Sequence, residues 1–453
     1  MRKGDKQPSL IAVLVLIFGL LLSACGGSTA GQTPTPGTQG VGSSPSPSPT
    51  TAASPSASPS GSPAAQETQT GAKCPEKNET LLIYSSLPMT GPSRVQTVSV
   101  VNGMKLALQE HGGKAGGYKV EFKALDDATA AAGKWTQEKE TENANRAIRD
   151  GATVYLGTFN SGAAAISIPI LNEAGIPMIS PANTAINLTQ PGPPDPKLYE
   201  SLYRNGPRNY FRVVPADNLQ GTAAANWAKE LGAKKVYVLN DQEVYGLGLA
   251  QVFREHAQKI GLEVLGFEGI DPQAGSYASL MQKIVDKGAD LVYFGGLVET
   301  GGTQLVKDLR DIEPDPEKIK FMGPDGILES SFIDGAGDAA EGAYGTVAAA
   351  PPDKLTGPGK EFYENYKKTF GSEPEPYAIF GHDAMLAALL AIDKACSKDP
   401  KDVLKALNNL GTVNGALGKW SFDKRGDTTL RTYHGYQVKD GKWVWVKQLN
   451  AGS

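Results

Sequence analysis

Cysteine and histidine are scarce: three and four residues in a chain of 453. His111, His256, His382 and His434 are scattered through the chain. None pairs at a metal-ligand spacing or sits where a general base is expected, so neither a metal centre nor histidine catalysis is indicated. The chain has no G-x-x-x-x-G-K-[ST] run and no G-x-G-x-x-G after a first strand, which removes the common nucleotide cradles. Ser161 is flanked by Phe159 and Ala163 where a nucleophile elbow requires glycine. No basic run interleaves with aromatics and the formal net charge is −4, so no nucleic-acid partner is expected. Asp334, Asp338 and Glu341 lie close together, but a solvated loop explains them better than a cation site. The expectation is therefore a protein that is not an enzyme and carries no cofactor or metal.

What is present begins with a leader. Arg2, Lys3 and Lys6 precede an apolar run over residues 10–22, too short for a comfortable membrane span of about 20 residues. It ends in Leu22-Ser23-Ala24-Cys25-Gly26, which resembles a bacterial lipobox. That resemblance implies a lipoprotein signal peptide over residues 1–24, with Cys25 lipidated and anchoring the chain to the outer face of the cell membrane. Residues 25–72 are rich in Pro, Ser, Thr, Gly and Ala and too poor in apolar side chains to offset ordering entropy, so a tether is expected there. Only Cys74 and Cys396 remain, and outside the cytoplasm an isolated pair suggests one disulfide, two unpaired thiols being the alternative.

From residue 80 onward short apolar strands alternate with amphipathic helices. Helical spacing of Val98, Val101, Met104 and Leu108 follows a strand at 81–85, and the same rhythm runs to residue 189. After a Pro-rich excursion at 190–209 it restarts and continues to 322. Alternation of this kind calls for right-handed, doubly wound parallel sheets, and the length exceeds what one core usually organises. The predicted fold class is α/β: two doubly wound lobes joined by a hinge of several crossovers. The expected division is 73–212 with 343–415 for the first lobe and 213–342 with 416–450 for the second. Ligands in such sheets bind outside the carboxyl ends of the strands.

The strand exits carry the candidate chemistry. Residues 153–189 form a strand, helix, strand unit in which Asn160-Ser161-Gly162 opens the helix and Pro181-Ala182-Asn183-Thr184 follows the second strand. A helix start with its dipole and free amides suits a carboxylate, although Ser161 taken alone reads better as an ordinary cap. In the second lobe Tyr245 and Asp325 follow strands; a carboxylate there can pair with an ammonium and an aromatic can close over it. Anion donors on one lobe and a cation acceptor on the other are what a zwitterionic amino acid requires.

These residues, with Leu87-Pro88-Met89-Thr90-Gly91-Pro92, Asp126-Asp127, Tyr293-Phe294-Gly295-Gly296 and Met322-Gly323-Pro324-Asp325-Gly326, make residues 80–453 resemble the extracellular solute-binding proteins of branched-chain amino acid ABC transporters. The resemblance implies a type I periplasmic binding protein fold and a monomer that hands a small amino acid to permease subunits. It also implies that Ser161 and Thr184 hold the ligand carboxylate, the Ala182 carbonyl and Asp325 its amine, with Asn183, Tyr245 and Leu297 around them. A typical member has Glu at the Asp325 position and an aromatic at Leu297. These departures keep open an amide, a urea or an aromatic acid as ligand, and a sensor lobe for a signalling receptor as the role.

Overall fold

A computed structural model of the chain describes residues 74–450, and these form one compact unit. The leader, Cys25 and the tether lie outside the described residues. Among the described residues no helix is long and apolar enough to cross a membrane.

The first sheet contains Thr80–Leu87 (β1), Lys114–Ala115 (β2), Tyr118–Asp126 (β3), Val154–Gly157 (β4), Met178–Ser180 (β5) and Tyr210–Arg212 (β6), in the order β2-β3-β1-β4-β5-β6. All neighbours are parallel except the β2/β3 pair. Three connecting helices, Arg94–Glu110 (α1), Gln137–Arg149 (α2) and Ser161–Ala174 (α3), cover the strands, and a short helix at Leu198–Leu202 (α4) belongs to the Pro-rich excursion. The central strands β1 and β4 are buried on both faces because both are covered: Ile83 and Leu156 pack into one core, Tyr84 and Tyr155 into another. The motif at 87–92 is explained locally, since Asp126 at the end of β3 accepts bonds from the Met89 N–H at 2.8 Å and the Thr90 hydroxyl at 2.7 Å.

The chain leaves the first sheet after β6 and builds the second. Asp217–Glu230 (α5), Val244–Lys259 (α6), Ala278–Asp286 (α7), Thr303–Ile312 (α8) and Ser330–Ala336 (α9) alternate with Lys235–Asn240 (β7), Glu263–Gly269 (β8), Leu291–Gly295 (β9), Lys320–Gly323 (β10) and Tyr344–Val347 (β11). It then returns to the first lobe as Pro358–Phe370 (α10), Ala378–Ala395 (α11), Pro400–Asn408 (α12) and a hairpin, Val413–Gly415 (β12) with Gly418–Trp420 (β13). Finally Tyr433–Lys439 (β14) and Lys442–Leu449 (β15) rejoin the second sheet, whose order is β15-β14-β11-β10-β9-β7-β8. Three crossovers therefore link the lobes.

Two expected boundaries move. Residues 344–347 pair with β10 and β14, so the segment from 343 stays in the second lobe until the chain passes Val347. Residues 416–420 stay with the first lobe: Asp383 of α11 accepts bonds from the N–H groups of Ala416 and Leu417 and from the Trp420 indole at 2.8 Å. In both cases side-chain and ladder partners distant in sequence decide which lobe holds a short strand. Cys74 and Cys396 are joined as a disulfide that ties the start of β1's approach to the end of α11.

Candidate functional site

Both sheets share one winding. Order reverses between β1 and β4 in the first and between β7 and β9 in the second, and the loops at these reversals splay apart to leave a crevice. Ser161 follows β4, Tyr245 follows β7 and Leu297 follows β9, so the crevices of the two sheets face one another.

On the first lobe Asn160, not Ser161, occupies the cap position of α3, with extended backbone and no side-chain cap bond. Ser161 is the first helical residue, so its own N–H and those just after it lack partners within the helix. The Ser161 hydroxyl accepts from the Ala185 N–H at 3.3 Å. The exit of β5 is fixed from below. Ser180 Oγ accepts from the N–H groups of Ala182 at 3.0 Å and Asn183 at 2.8 Å. Arg212, fully buried and paired with Asp427 at 2.7 Å, donates to the Ala185 carbonyl at 2.8 Å and to Thr189 Oγ1 at 2.8 Å. These bonds hold the 180–189 loop against the helix start.

On the second lobe close backbone approach does the positioning. A Cβ on Gly246 would lie 2.4 Å from the Gly295 carbonyl oxygen, and one on Gly326 would lie 2.5 Å from that of Gly296. Glycine at these positions lets the turns after β7, β9 and β10 stack and brings Tyr245, Leu297 and Asp325 together. Asp325 begins a single 3-10 turn, Asp325–Ile327. Its Oδ1 accepts from the Tyr245 hydroxyl at 3.0 Å and its Oδ2 from the Tyr377 hydroxyl at 2.6 Å.

Phe159, Asn160, Ser161 and Ala182 from the first lobe, Tyr245, Leu297 and Asp325 from the second, and Tyr377 from the start of α11 enclose a cavity of about 10 Å³. Five of the seven candidates thus meet at one point. Asn183 does not line the cavity: its amide nitrogen donates to the Phe159 carbonyl at 2.9 Å and its oxygen accepts from the Tyr210 hydroxyl at 3.2 Å, which fixes the loop instead. Thr184 also lies outside the lining, fully buried, and its hydroxyl has no hydrogen-bond partner among the described residues.

Burial pushes the Asp325 carboxyl above the usual carboxylate range, against the pull of the Tyr377 and Tyr245 hydroxyls. Asp217, at the first turn of α5, is pushed up to about 8, first by burial and then by the charge of Asp325. Two acids therefore compete at this end of the second lobe. Further bonds cross between the lobes: Lys134 pairs with Glu243 at 2.6 Å, Ser93 donates to Glu299, and Ser330 donates to Glu375 at 2.7 Å. The lobes are closed on one another.

Sequence reasoning missed Phe159, Asn160, Tyr377 and Asp217. Phe159 and Asn160 sit beside Ser161 and are within reach of a strand-exit argument. Tyr377 is 52 residues beyond its partner Asp325, after the run Glu373-Pro374-Glu375-Pro376, and nothing local connects them.

A sequence profile of periplasmic binding proteins matches residues 85–442. A Leu/Ile/Val-binding protein homolog of Brucella suis is 28% identical over 374 residues, which span 81% of this chain and 94% of that protein. An amino acid binding protein of Pseudomonas aeruginosa is 29% identical over 336 residues, 73% of this chain and 82% of that one. Among solved structures, a leucine-binding protein from Thermotoga maritima superposes with a TM-score of 0.72 at 26% identity, covering 82% of this chain and 99% of that one. A solute-binding protein from R. palustris in complex with benzoate shares the fold, with a TM-score of 0.69 at 22% identity over 82% of this chain and 96% of that one. Two doubly wound lobes, facing crevices and a profile match across most of the chain lead to one assignment: the chain belongs to the periplasmic binding protein family, type I in fold, a family of binding proteins and not of enzymes.

Proposed function

We propose that the protein is the solute-binding component of an ABC importer, anchored by lipid on Cys25 at the extracytoplasmic face of a bacterial membrane, and that as a monomer it carries a small amino acid to permease subunits. The observation that supports this most is the placing of Asp325 opposite the Ser161 helix start across one small cavity. The helix start offers N–H and hydroxyl donors to a carboxylate, and Asp325 offers an acceptor to an ammonium. In this reading Ser161, Thr184 and the Ala182 carbonyl hold the backbone end of the ligand, Tyr245 closes over it, and Leu297 with Phe159 walls its side chain. The names of the Brucella and Thermotoga proteins favour a branched-chain amino acid. A cavity of about 10 Å³ holds roughly one water, so a leucine side chain requires the lobes to stand further apart than here. Contacts from both lobes stabilise a liganded form that is closed but wider at the cleft than the one described here.

One observation favours a second reading, a neutral amide or urea. Asp325 already accepts two phenol bonds and burial favours its protonated form, and a neutral N–H donor does not need it ionised. A thermal-shift panel of amino acids, amides, urea and aromatic acids on protein lacking residues 1–72 separates the two. Stabilisation by small or branched amino acids is expected, and stabilisation by none of them overturns the first reading.

A further inference from the structure

Behind Asp325 the chain continues through Leu328 and Glu329 into α9, and here the lobes enclose a second, much larger space. It lies between Leu328, Ile333 and Trp443 of the second lobe and Phe362 and Ile379 of the first, with a volume of about 450 Å³. That is the size of a small-molecule site, roughly 300–1,000 Å³. Its walls combine two features. Phe362, Tyr363, Tyr436 and Trp443 supply aromatic surface, while the ionisable groups are four acids, Glu329, Asp334, Glu373 and Glu375, against one base, Lys442.

The acids are not equivalent. Glu373 is paired with Lys367 at 2.5 Å and serves the surface. Glu375 takes the Ser330 hydroxyl across the lobes. Glu329 is 2% exposed; one of its oxygens accepts from Ser331 at 2.8 Å and the other has no hydrogen-bond partner among the described residues. A buried carboxyl oxygen left unpaired is costly, and a donor brought to it regains that cost. Burial, then the charge of Glu299, holds this carboxyl well above its ordinary range, which an arriving cation reverses.

We propose that this cavity is a second binding site, for an organic ammonium ion with an aromatic or apolar body. The ammonium meets Glu375 at the wall and draws out Glu329, whose unpaired oxygen is shielded from the cavity as it stands, and the body lies against Phe362, Tyr436 and Trp443, where ring faces add cation-π attraction. A carboxylate on the ligand is disfavoured, because the lining sets four acids against one base, Lys442. The site is thus chemically distinct from the cleft at Asp325.

Titration calorimetry of the full-length protein with phenethylamine, 2-phenylethanol and 3-phenylpropionate tests the proposal without any variant. The amine is expected to bind saturably and at least tenfold tighter than the alcohol or the acid. Glu329→Gln, nearly isosteric, is expected to lower amine affinity tenfold or more, and Ile333→Trp, on a half-buried helix face, to block it. Asp325→Ala leaves it unchanged. Equal binding of the three probes overturns the proposal, as does amine affinity that survives Glu329→Gln. Amine binding that disappears in Asp325→Ala overturns it too, because the probe then sits in the cleft.

Discussion

On the first lobe, the groups that face the cleft come, apart from Tyr377, from one strand, helix, strand run, residues 153–189, and all are neutral: a hydroxyl, backbone amides, a carbonyl. On the second lobe, Tyr245, Leu297 and Asp325 follow three different strands, a fourth group, Tyr377, reaches over from α11 of the first lobe, and the centre is an acid. The neutral half is rigid by local bonding, with Ser180 and Arg212 beneath its loop. The acidic half depends on which proton and which phenol Asp325 holds. In the proposed function, a site with one preset half and one titrating half would read the backbone of its ligand on one side and the charge of its ligand on the other.

The largest effect should follow removal of the acid. Asp325→Ala is expected to abolish binding of amino acids in the cleft, a loss of about 2–5 kcal/mol for one partner of a buried charge pair, with an unchanged circular-dichroism spectrum; calorimetry showing wild-type affinity for them would remove Asp325 from the cleft site. Ser161→Ala tests the neutral half and should cost about 1.5–3 kcal/mol, one hydrogen bond to a charged group. If affinity barely moves, the carboxylate rests on backbone amides alone. Tyr377→Phe is smaller, about 0.5–1.5 kcal/mol. Losing that phenol raises the proton affinity of Asp325, so amine ligands should bind less tightly and their affinity should set in at higher pH, whereas amides should be indifferent. A pH profile of affinity for the variant and the parent decides between them.

A separate effect falls on the unliganded fold. Burial raises Glu140 and Asp241 to about 7 and Asp217 to about 8, from ordinary values near 4. Between those values the folded chain keeps protons that the unfolded chain has released, so stability falls as pH rises; it is fully present below about pH 4 and lost through pH 7–8. The thermal midpoint should drop by a few degrees from pH 5 to pH 8, less in Asp217→Asn. A midpoint that rises over this range would show that surface carboxylates dominate instead.

The alternation of strands and helices was legible because strands buried on both faces and helices with one apolar stripe have different periods, and that alone leads to doubly wound sheets. Ser161 and Ala182 were legible because strand exits are close in sequence to the strands that aim them. Asn183 shows the limit. Its chemistry suited a ligand, but its side chain is satisfied by Phe159 and Tyr210, which no spacing rule connects to it. The lobe boundaries at 343 and 416 failed for the same reason: a four-residue strand such as β11 carries no mark of the sheet it joins, and its β10 and β14 partners come from either side in the chain.

By itself the sequence determined the α/β class, the doubled architecture and the small polar residues at the strand exits, because propensity, period and turn chemistry act over a few residues. Only the tertiary structure decided that Tyr377 bonds to Asp325, that Asp217 shares its environment, and that Glu329 lies unpaired beside an aromatic cavity. Those depend on which surfaces meet when two lobes close, and burial, which sets the energy of every one of these acids, is a property of the packed chain and not of any segment of it.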